Sequence, residues 1–263
     1  MKLTILGATG SMSGPLGPAS SYMVESANTR LVLDLGPGSF GRLWDYGAER
    51  LDALLFSHLH ADHVSDIISL QVFRKWHPRR QFVPLPVYGP PGTLQRFAQI
   101  EGAAAGTTYG DEFVFTPFTV GGQYQIGDFT VKTWRANHSA DAYIMRLETR
   151  VDDRMVSLCY TGDTDACPQL VEAAADCDFL LSECGFTSSD QARGVHLDGR
   201  RAAEMAVAAH ARKLVLTHIQ PWTDPAVPVA EAEDYLANYE GDAPALLRGQ
   251  VAVAKAGQVY QIA

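Results

Sequence analysis

The chain has 263 residues and carries 21 lysines and arginines against 30 aspartates and glutamates, a formal net charge of −9. Hydrophobic residues make up 46% of it and charged residues 19%, which excludes a disordered chain because there is enough apolar surface to offset chain entropy. The acidic balance disfavours a nucleic-acid module, and no apolar run approaches the roughly 18 residues that a membrane span needs.

The N-terminal apolar run, Met1 to Gly7, is too short for a signal peptide, so we expect a first β-strand there. The four cysteines have irregular spacings and form no CxxC motif. This disfavours both a zinc knuckle and a thioredoxin-type site. We therefore expect a cytoplasmic protein with reduced thiols.

The first half of the chain is dominated by short runs typical of strands. Strands are predicted at Lys2–Leu6, Ser20–Glu25, Arg30–Asp34 and Ala53–Ser57, with a helix at Ser39–Tyr46 between the last two. A longer helix is predicted over Asp62–Trp76. Its first turn is acidic, its last turn contains Arg74 and Lys75, and Pro78 prevents its continuation.

The rest of the chain mixes strands and helices. Further helices are predicted at Thr93–Glu101, Gln169–Ala175, Asp198–Ala211 and Val229–Tyr239. Further strands are predicted at Phe113–Phe115, Phe129–Trp134, Ala142–Glu148, Met155–Tyr160, Phe179–Ser182 and Lys213–Thr217. One more strand is predicted within Pro84–Gly92, and short strands are predicted at the end of the chain. This mixture, without repeats or an evident linker, predicts one α/β (α+β) domain over residues 1–263, in which two sheets pack face to face between outer helices.

The segment Ser57 to His63 has the pattern His-x-His-x-Asp-His, between a predicted strand and a predicted helix. Residues two apart in an extended segment point the same way, so His58 and His60 can bind one ion. Asp62 and His63 lie where the helix turns and can bind a second ion. Three histidines and one aspartate in six positions indicate a metal centre.

Three further candidate ligands follow predicted strands, where loops commonly carry functional residues. His138 comes after Phe129–Trp134, Asp163 after Met155–Tyr160, and His218 after Lys213–Thr217. Each is weak evidence alone, because a single histidine after a strand is more often structural. Together with the histidine motif they predict a site for two ions.

This combination of motifs resembles the metallo-β-lactamase superfamily over nearly the whole chain. The resemblance implies a four-layer αββα sandwich with two divalent ions. One ion would be bound by His58, His60 and His138, the other by Asp62, His63 and His218, and Asp163 would bridge both. The ligand types fit zinc, and manganese or iron fit the same shell.

Several segments resemble the ribonuclease Z branch of that superfamily, notably residues 6–10, 20–22 and 88–92. The resemblance implies that His196 donates a proton together with a nearby carboxylate, for which Glu183 is the candidate. Asp62 is expected to be catalytic as well as a ligand, by accepting a hydrogen bond from the nucleophile. Asp34 is expected to orient a ligand histidine from outside the metal shell.

The aspartate bridge, with no cysteine among the ligands, favours phosphodiester chemistry over lactam opening. Ribonuclease Z holds tRNA with a long arm inserted between the segments that match His138 and Asp163. Here the two predicted strands leave only residues 149–154 of that interval, which suffices for a turn and not for an arm. A small phosphodiester substrate is therefore expected, and nucleic acid is disfavoured.

The segment Leu216 to Pro225 resembles a bacterial group of cyclic-nucleotide phosphodiesterases that lack the arm. That resemblance implies hydrolysis of 3′,5′-cyclic AMP to 5′-AMP, with Trp222 as a residue that either stacks on a base or packs in the protein. Three alternatives stay open: tRNA 3′-end processing, a non-phosphate hydrolase such as a lactonase or arylsulfatase, and a non-enzymatic metal-binding scaffold. A homodimer is also an open expectation, although no interface can be identified from one chain.

Overall fold

A computed structural model describes residues 1–78, 81–104, 106–241, 247 and 250–263. Two seven-stranded sheets account for the strands of these residues. The first sheet has the order β14-β1-β2-β3-β4-β5-β6 and contains Val259–Gln261 (β14), Lys2–Gly7 (β1), Ser21–Glu25 (β2), Arg30–Leu33 (β3), Ala53–Leu55 (β4), Leu85–Gly89 (β5) and Phe113–Pro117 (β6).

The second sheet has the order β13-β12-β11-β10-β9-β8-β7. Its members are Ala252–Val253 (β13), Leu214–Thr217 (β12), Phe179–Glu183 (β11), Arg154–Tyr160 (β10), Tyr143–Val151 (β9), Phe129–Arg135 (β8) and Gln123–Ile126 (β7). The helices are Ser39–Asp45 (α1), Ala61–Val64 (α2), Ile67–Trp76 (α3), Thr93–Glu101 (α4), Pro168–Ala174 (α5), Gly199–Ala208 (α6) and Ala226–Asn238 (α7), with a short 3-10 helix at Ala48–Arg50.

The buried apolar residues form three clusters, and each cluster lies between two neighbouring layers of a four-layer fold. The middle cluster contains residues of both sheets, such as Tyr22 and Leu33 of the first and Phe129 and Leu158 of the second. A second cluster joins the outer face of the β7–β13 sheet to α5, α6 and α7. A third joins the outer face of the other sheet to α1, α3 and α4. The predicted αββα sandwich is therefore confirmed.

The helix predicted over Asp62–Trp76 is wrong in one respect, because it is two helices, α2 and α3. The break between them follows from contacts with the segment after β3. Leu35 donates its backbone N–H to the carbonyl of His63 at 2.7 Å, and its own carbonyl accepts from Asp66 at 3.0 Å. The Asp66 carboxylate also accepts from the backbone N–H of Phe40 at 2.8 Å. These hydrogen bonds take the place of the intrahelical bonds that one continuous helix would form.

The other differences concern short elements and element ends. Strand β7 and the 3-10 helix are not among the predicted elements. Strands β9 and β10 are longer than predicted and pair up to Val151 and Arg154, so only Asp152 and Asp153 form the turn between them. The interval before Asp163 thus contains no arm, as expected. Among the described residues, no helix has the length and apolar character needed to cross a bilayer.

Strand direction explains where the site lies. Strands β10, β11 and β12 are parallel, and β8 and β10 share a direction because both are antiparallel to β9. Their carboxyl ends therefore meet at one edge of the second sheet. In the first sheet β3 and β4 are also parallel. The loops after these six strands converge at one end of the sandwich.

Candidate metal centre

All seven predicted ligands come together at this end of the sandwich. The donor atoms of His58, His60, His138 and Asp163 lie within 4.8 Å of one another, and so do those of Asp62, His63, Asp163 and His218. The two groups share Asp163, which is the residue expected to bridge. No predicted ligand falls outside these groups.

In the first group three ring nitrogens face one another. Nδ1 of His60 lies 3.1 Å from Nε2 of His58 and 3.2 Å from Nε2 of His138. Zinc–nitrogen bonds of about 2.0–2.1 Å in a tetrahedron place ligand nitrogens roughly 3.3 Å apart. The spacing of the three rings therefore fits a shared ion. Oδ2 of Asp163 approaches Nε2 of His58 at 3.6 Å.

In the second group the carboxylate of Asp163 lies between two rings. Its Oδ1 is 3.2 Å from Nε2 of His63, and its Oδ2 is 3.3 Å from Nε2 of His218. Oδ2 of Asp62 lies 3.4 Å from Nε2 of His63 and 3.9 Å from Nε2 of His218. Two nitrogens and two carboxylates are a typical donor set for a catalytic divalent ion.

Two buried atoms in this group lack any hydrogen-bond partner among the described residues. They are Nε2 of His63 and Oδ1 of Asp163, which face each other across 3.2 Å. A buried polar atom without a partner is costly, and native proteins rarely leave one unexplained. A cation between these two atoms would satisfy both, so the residues present fit a metal ion.

The charges within the ligand set shift one another strongly. Burial raises the pKa of the Asp163 carboxyl, but the neighbouring His218, His63 and His58 rings outweigh this and hold its pKa well below the usual range. Burial lowers the pKa of His58, and the adjacent ring of His63 lowers it further. At His63 the direction is opposite, because burial lowers its pKa but the carboxylates of Asp163 and Asp34 outweigh this and raise its pKa well above the usual range. Metal binding requires an ionised carboxylate and a neutral imidazole, so His63 would release a proton when an ion binds.

The ring of His63 is oriented by Asp34, as the sequence resemblance implies. Nδ1 of His63 donates to Oδ2 of Asp34 at 2.8 Å, which turns Nε2 toward Asp163. The same carboxylate accepts from the hydroxyls of Ser57 and Tyr160, each at 2.7 Å. Asp34 is fully buried and adopts a left-handed backbone with φ of 56°.

Other supports of the ligands are not among the predicted site residues. Ser57 Oγ lies 3.1 Å from Nδ1 of His58, and Ser20 Oγ lies 2.9 Å from Nδ1 of His218. Nδ1 of His138 donates to the carbonyl of Val195 at 2.8 Å. Ser57 could have been identified from the sequence, because it directly precedes the histidine motif. For Ser20 and Val195 no local signal exists, because their partners are distant in the chain.

The predicted pair of Glu183 and His196 is also formed. Nδ1 of His196 donates to Oε1 of Glu183 at 2.9 Å, and the same nitrogen lies 3.9 Å from Oδ2 of Asp163. The fully buried Glu183 carboxylate further accepts from the backbone N–H groups of Thr164, Gly185 and Leu197. Burial lowers the pKa of His196, but the Glu183 carboxylate outweighs this and raises the pKa to about 9.

The two remaining histidines of the chain and Trp222 lie outside the ligand groups. His77 packs against the rings of Phe73 and Phe82, and His210 is exposed after α6. Trp222 is 67% exposed and forms no ring contact with the described residues. Of its two expected roles, packing in the protein does not fit this exposure, and stacking on a base stays a prediction.

Comparison with known proteins places this arrangement in a family. The family described as the beta-lactamase superfamily domain matches residues 29–219. The chain belongs to this superfamily, and the resemblance inferred from the histidine motif is confirmed. The match spans β3 to the residue after His218, so it includes all seven candidate ligands.

Relatives cover nearly the whole chain. The uncharacterized protein ML1173 of Mycobacterium leprae is 35% identical over 95% of this chain and 87% of its own length. The probable metallo-hydrolase YhfI of Bacillus subtilis is 27% identical over 99% of this chain and all of its own length. The crystal structure of YhfI superposes with a TM-score of 0.84 over 98% of both chains, at 26% identity.

A relative from the branch that the sequence resembles is also found. Ribonuclease Z of Myxococcus xanthus is 28% identical over 92% of this chain and 94% of its own length. This chain is therefore a metallo-β-lactamase-fold protein, and its similarity to this enzyme fits the ribonuclease Z-like branch.

Proposed function

We propose that the protein is a hydrolase that uses two divalent metal ions to cleave small phosphodiesters, with 3′,5′-cyclic nucleotides such as cyclic AMP as the substrate class. The observation that carries the proposal is the pair of ligand groups that share Asp163. The similarity to a probable metallo-hydrolase supports the hydrolase assignment. Zinc is the ion that we propose, because imidazole and carboxylate donors at these spacings suit it.

The ligand residues would hold one ion at His58, His60 and His138 and one at Asp62, His63 and His218, with Asp163 between them. Two such ions, when bound, would activate water for attack at neutral pH and polarise a phosphoryl oxygen. Asp62 has one further task. Its carboxylate lies at the less buried side of the second group and can accept a hydrogen bond from the attacking water.

His196 is placed to supply the proton that the leaving group needs. Its ring centroid lies 5.4 Å from that of His138 and 5.4 Å from that of His218, so the ring is close to both ligand groups. Because Nδ1 is engaged by Glu183, Nε2 is the atom that can carry and release a proton. Cleavage of a phosphodiester expels an alkoxide, a poor leaving group unless protonated, so we assign His196 as general acid and Glu183 as its partner.

Two features support a small substrate. The hairpin between β9 and β10 turns at Asp152 and Asp153 and provides no arm for a large ligand. The net charge of −9 disfavours a polyanion, since binding such a ligand needs several cationic phosphate contacts. Within the group of small phosphodiesters, cyclic AMP is favoured by the resemblance of residues 216–225 to cyclic-nucleotide phosphodiesterases.

The second candidate function is tRNA 3′-end processing, because a 28% identical relative is named a ribonuclease Z. The decisive experiment uses purified protein with quantified metal and assays cyclic AMP, a precursor tRNA, a lactone and an aryl sulfate side by side. We expect turnover of cyclic AMP that Asp163→Ala abolishes. Cleavage of the tRNA alone would favour the second candidate, and preference for the lactone or sulfate would exclude phosphodiester chemistry.

A further inference from the structure

A buried ion pair lies beside the metal centre, outside both ligand groups. The guanidinium of Arg201, near the start of α6, contacts the carboxylate of Asp165 through Nη1 and that of Asp198 through Nε, the latter at 2.8 Å. The side chains of Arg201, Asp165 and Asp198 are 13%, 6% and 5% exposed. A planar guanidinium with several donors in fixed directions can join groups from different loops in this way.

Asp165 and Arg201 both bond to backbone that carries part of the site. Asp165 lies two residues after Asp163, and its Oδ2 accepts from the backbone N–H of Gly194 at 2.6 Å. Nη2 of Arg201 donates to the backbone carbonyl of His196 at 2.9 Å. Arg201 and Asp165 therefore fasten the segment from Gly194 to His196 at both ends to the loop of the bridging carboxylate.

Val195, the residue between these two attachment points, supplies the carbonyl that accepts from Nδ1 of His138. A second link supports the same ligand, because Asn137 donates its backbone N–H to Thr164 Oγ1 at 3.0 Å and accepts from the backbone of Asp165 at 2.8 Å. His138 is thus oriented by a segment whose position depends on Arg201 and Asp165.

Two ligands that belong to the second group alone have supports that do not involve this ion pair. His63 is oriented by Asp34, and His218 by the hydroxyl of Ser20. Neither Asp34 nor Ser20 contacts Arg201 or Asp165 among the hydrogen bonds and ion pairs of the described residues. Asp163 is shared by both groups and lies two residues before Asp165, whereas His138 belongs to the first group alone. Loss of the ion pair should consequently weaken the first ion position more than the second.

We propose that Arg201, paired with Asp165, is a positioning residue that sets the affinity of the ion position at His58, His60 and His138 separately from the position at Asp62, His63 and His218. The inference rests on the proposed function in one respect, namely that both groups hold ions. It goes further by assigning the two ions different supports. Residues outside the ligand shell typically change metal affinity by roughly 10–100-fold when removed.

The test is a titration of metal-free full-length protein with cobalt(II) and zinc against a competing chelator, followed by visible absorbance of bound cobalt. For the wild type we expect two ions per chain. For Arg201→Met we expect one ion to keep its affinity within about threefold and the other to weaken by roughly 10–100-fold. In Arg201→Lys the affinity of the weakened position should lie between those of the wild type and Arg201→Met. A single ammonium cannot contact both carboxylates and the carbonyl at once.

Arg212→Met serves as the matched control, since Arg212 is a 55% exposed arginine paired with Asp178 and remote from the ligand set. It should bind both ions as the wild type does. If Arg201→Met does not fold, Asp165→Asn provides the same test, because it keeps an acceptor for Gly194 and removes the charge. Equal weakening of both ions, or of neither, would overturn the proposal.

This outcome is independent of the substrate. A wild type that binds two ions and cleaves no phosphodiester would refute the proposed function, and the titration would still decide the role of Arg201. A wild type that binds no ion would refute both. Activity on cyclic AMP is measured afterwards on the same samples, at saturating metal, where Arg201→Met should recover if only affinity is affected.

Discussion

Oδ2 of Asp34 lies 2.8 Å from Nδ1 of His63, and this contact fixes which nitrogen of the ring faces Asp163, the carboxylate that both ligand groups share. Asp34 holds the contact from a left-handed backbone conformation, with φ of 56°, which non-glycine residues rarely adopt. Such a conformation persists only where the surroundings determine it. Here the carboxylate accepts from Tyr160 and twice from Ser57, through its hydroxyl and its backbone N–H.

Asp34→Asn should weaken metal binding while leaving the fold intact. Asparagine tolerates the left-handed conformation, but it lacks the charge and one of the two acceptor oxygens. We expect the affinity of the ion position at His63 to fall by roughly 10–100-fold, as measured by chelator competition. Asp176→Asn makes the same substitution at another left-handed aspartate, with φ of 51°, and should bind metal normally. Unchanged affinity in Asp34→Asn would show that His63 needs no such support.

Gly10→Ala should disturb His218. A Cβ atom at Gly10 would lie 2.4 Å from the backbone carbonyl oxygen of His218 and 2.9 Å from Cδ2 of its ring. Real Cβ atoms do not approach so closely, so the ligand or the loop must move. We expect a loss of stability of about 1–3 kcal/mol, as in overpacked cores, together with weaker metal binding. Thermal unfolding and metal titration of the same sample measure the two effects.

Gly41→Ala is the control for that substitution. Gly41 lies inside α1, and a Cβ atom there would meet nothing within 4 Å. Because alanine has the higher helix propensity, the variant should be as stable as the wild type or more stable by roughly 0.5–1 kcal/mol. If Gly10→Ala behaved like Gly41→Ala, the loop before β2 would not constrain His218.

His196→Ala should have an effect that depends on the leaving group. With a substrate whose leaving group is an alkoxide, such as cyclic AMP, we expect kcat to fall by roughly 10²–10⁴-fold, because general acid catalysis is lost. With bis-p-nitrophenyl phosphate, whose leaving group needs no proton, the loss should be much smaller. His210→Asn changes an exposed histidine and should alter neither rate. Equal losses of kcat on both substrates would indicate a structural role for His196 instead of general acid catalysis.

The sequence allows the candidate metal ligands to be identified because their signals are local. His58 to His63 lie in one motif, and His138, Asp163 and His218 each follow a strand whose pattern is visible. What supports the ligands depends on residues that only the fold brings together. Ser20 and His218 are 198 positions apart, and Val195 and His138 are 57 apart. Neither contact can be predicted from residue spacing or composition.

The break between α2 and α3 has the same origin. Its sequence favours one helix, with acidic residues at the start and basic residues at the end. Hydrogen bonds to the backbone of Leu35 prevent one continuous helix, because they engage the backbone groups of His63 and Asp66. Gly36 completes this junction, since a Cβ atom there would lie 2.0 Å from the carbonyl oxygen of Asp62. The break keeps Asp62 and His63 against the loop that carries Asp34.

Thiol reactivity provides a last test of the packing on the outer side of the second sheet. Cys159, Cys177 and Cys184 are buried, and burial raises the pKa of each thiol, to about 12 for Cys177. A raised pKa leaves little thiolate at pH 8, and the thiolate is the form that reacts. Only Cys167, at the start of α5, is partly exposed. A disulfide exchange reagent should therefore modify one thiol per native chain rapidly and all four after denaturation. Cys167→Ser should abolish the rapid phase, and two or more rapid thiols in the native wild type would contradict the tight packing of α5 and α6 against β10 and β11.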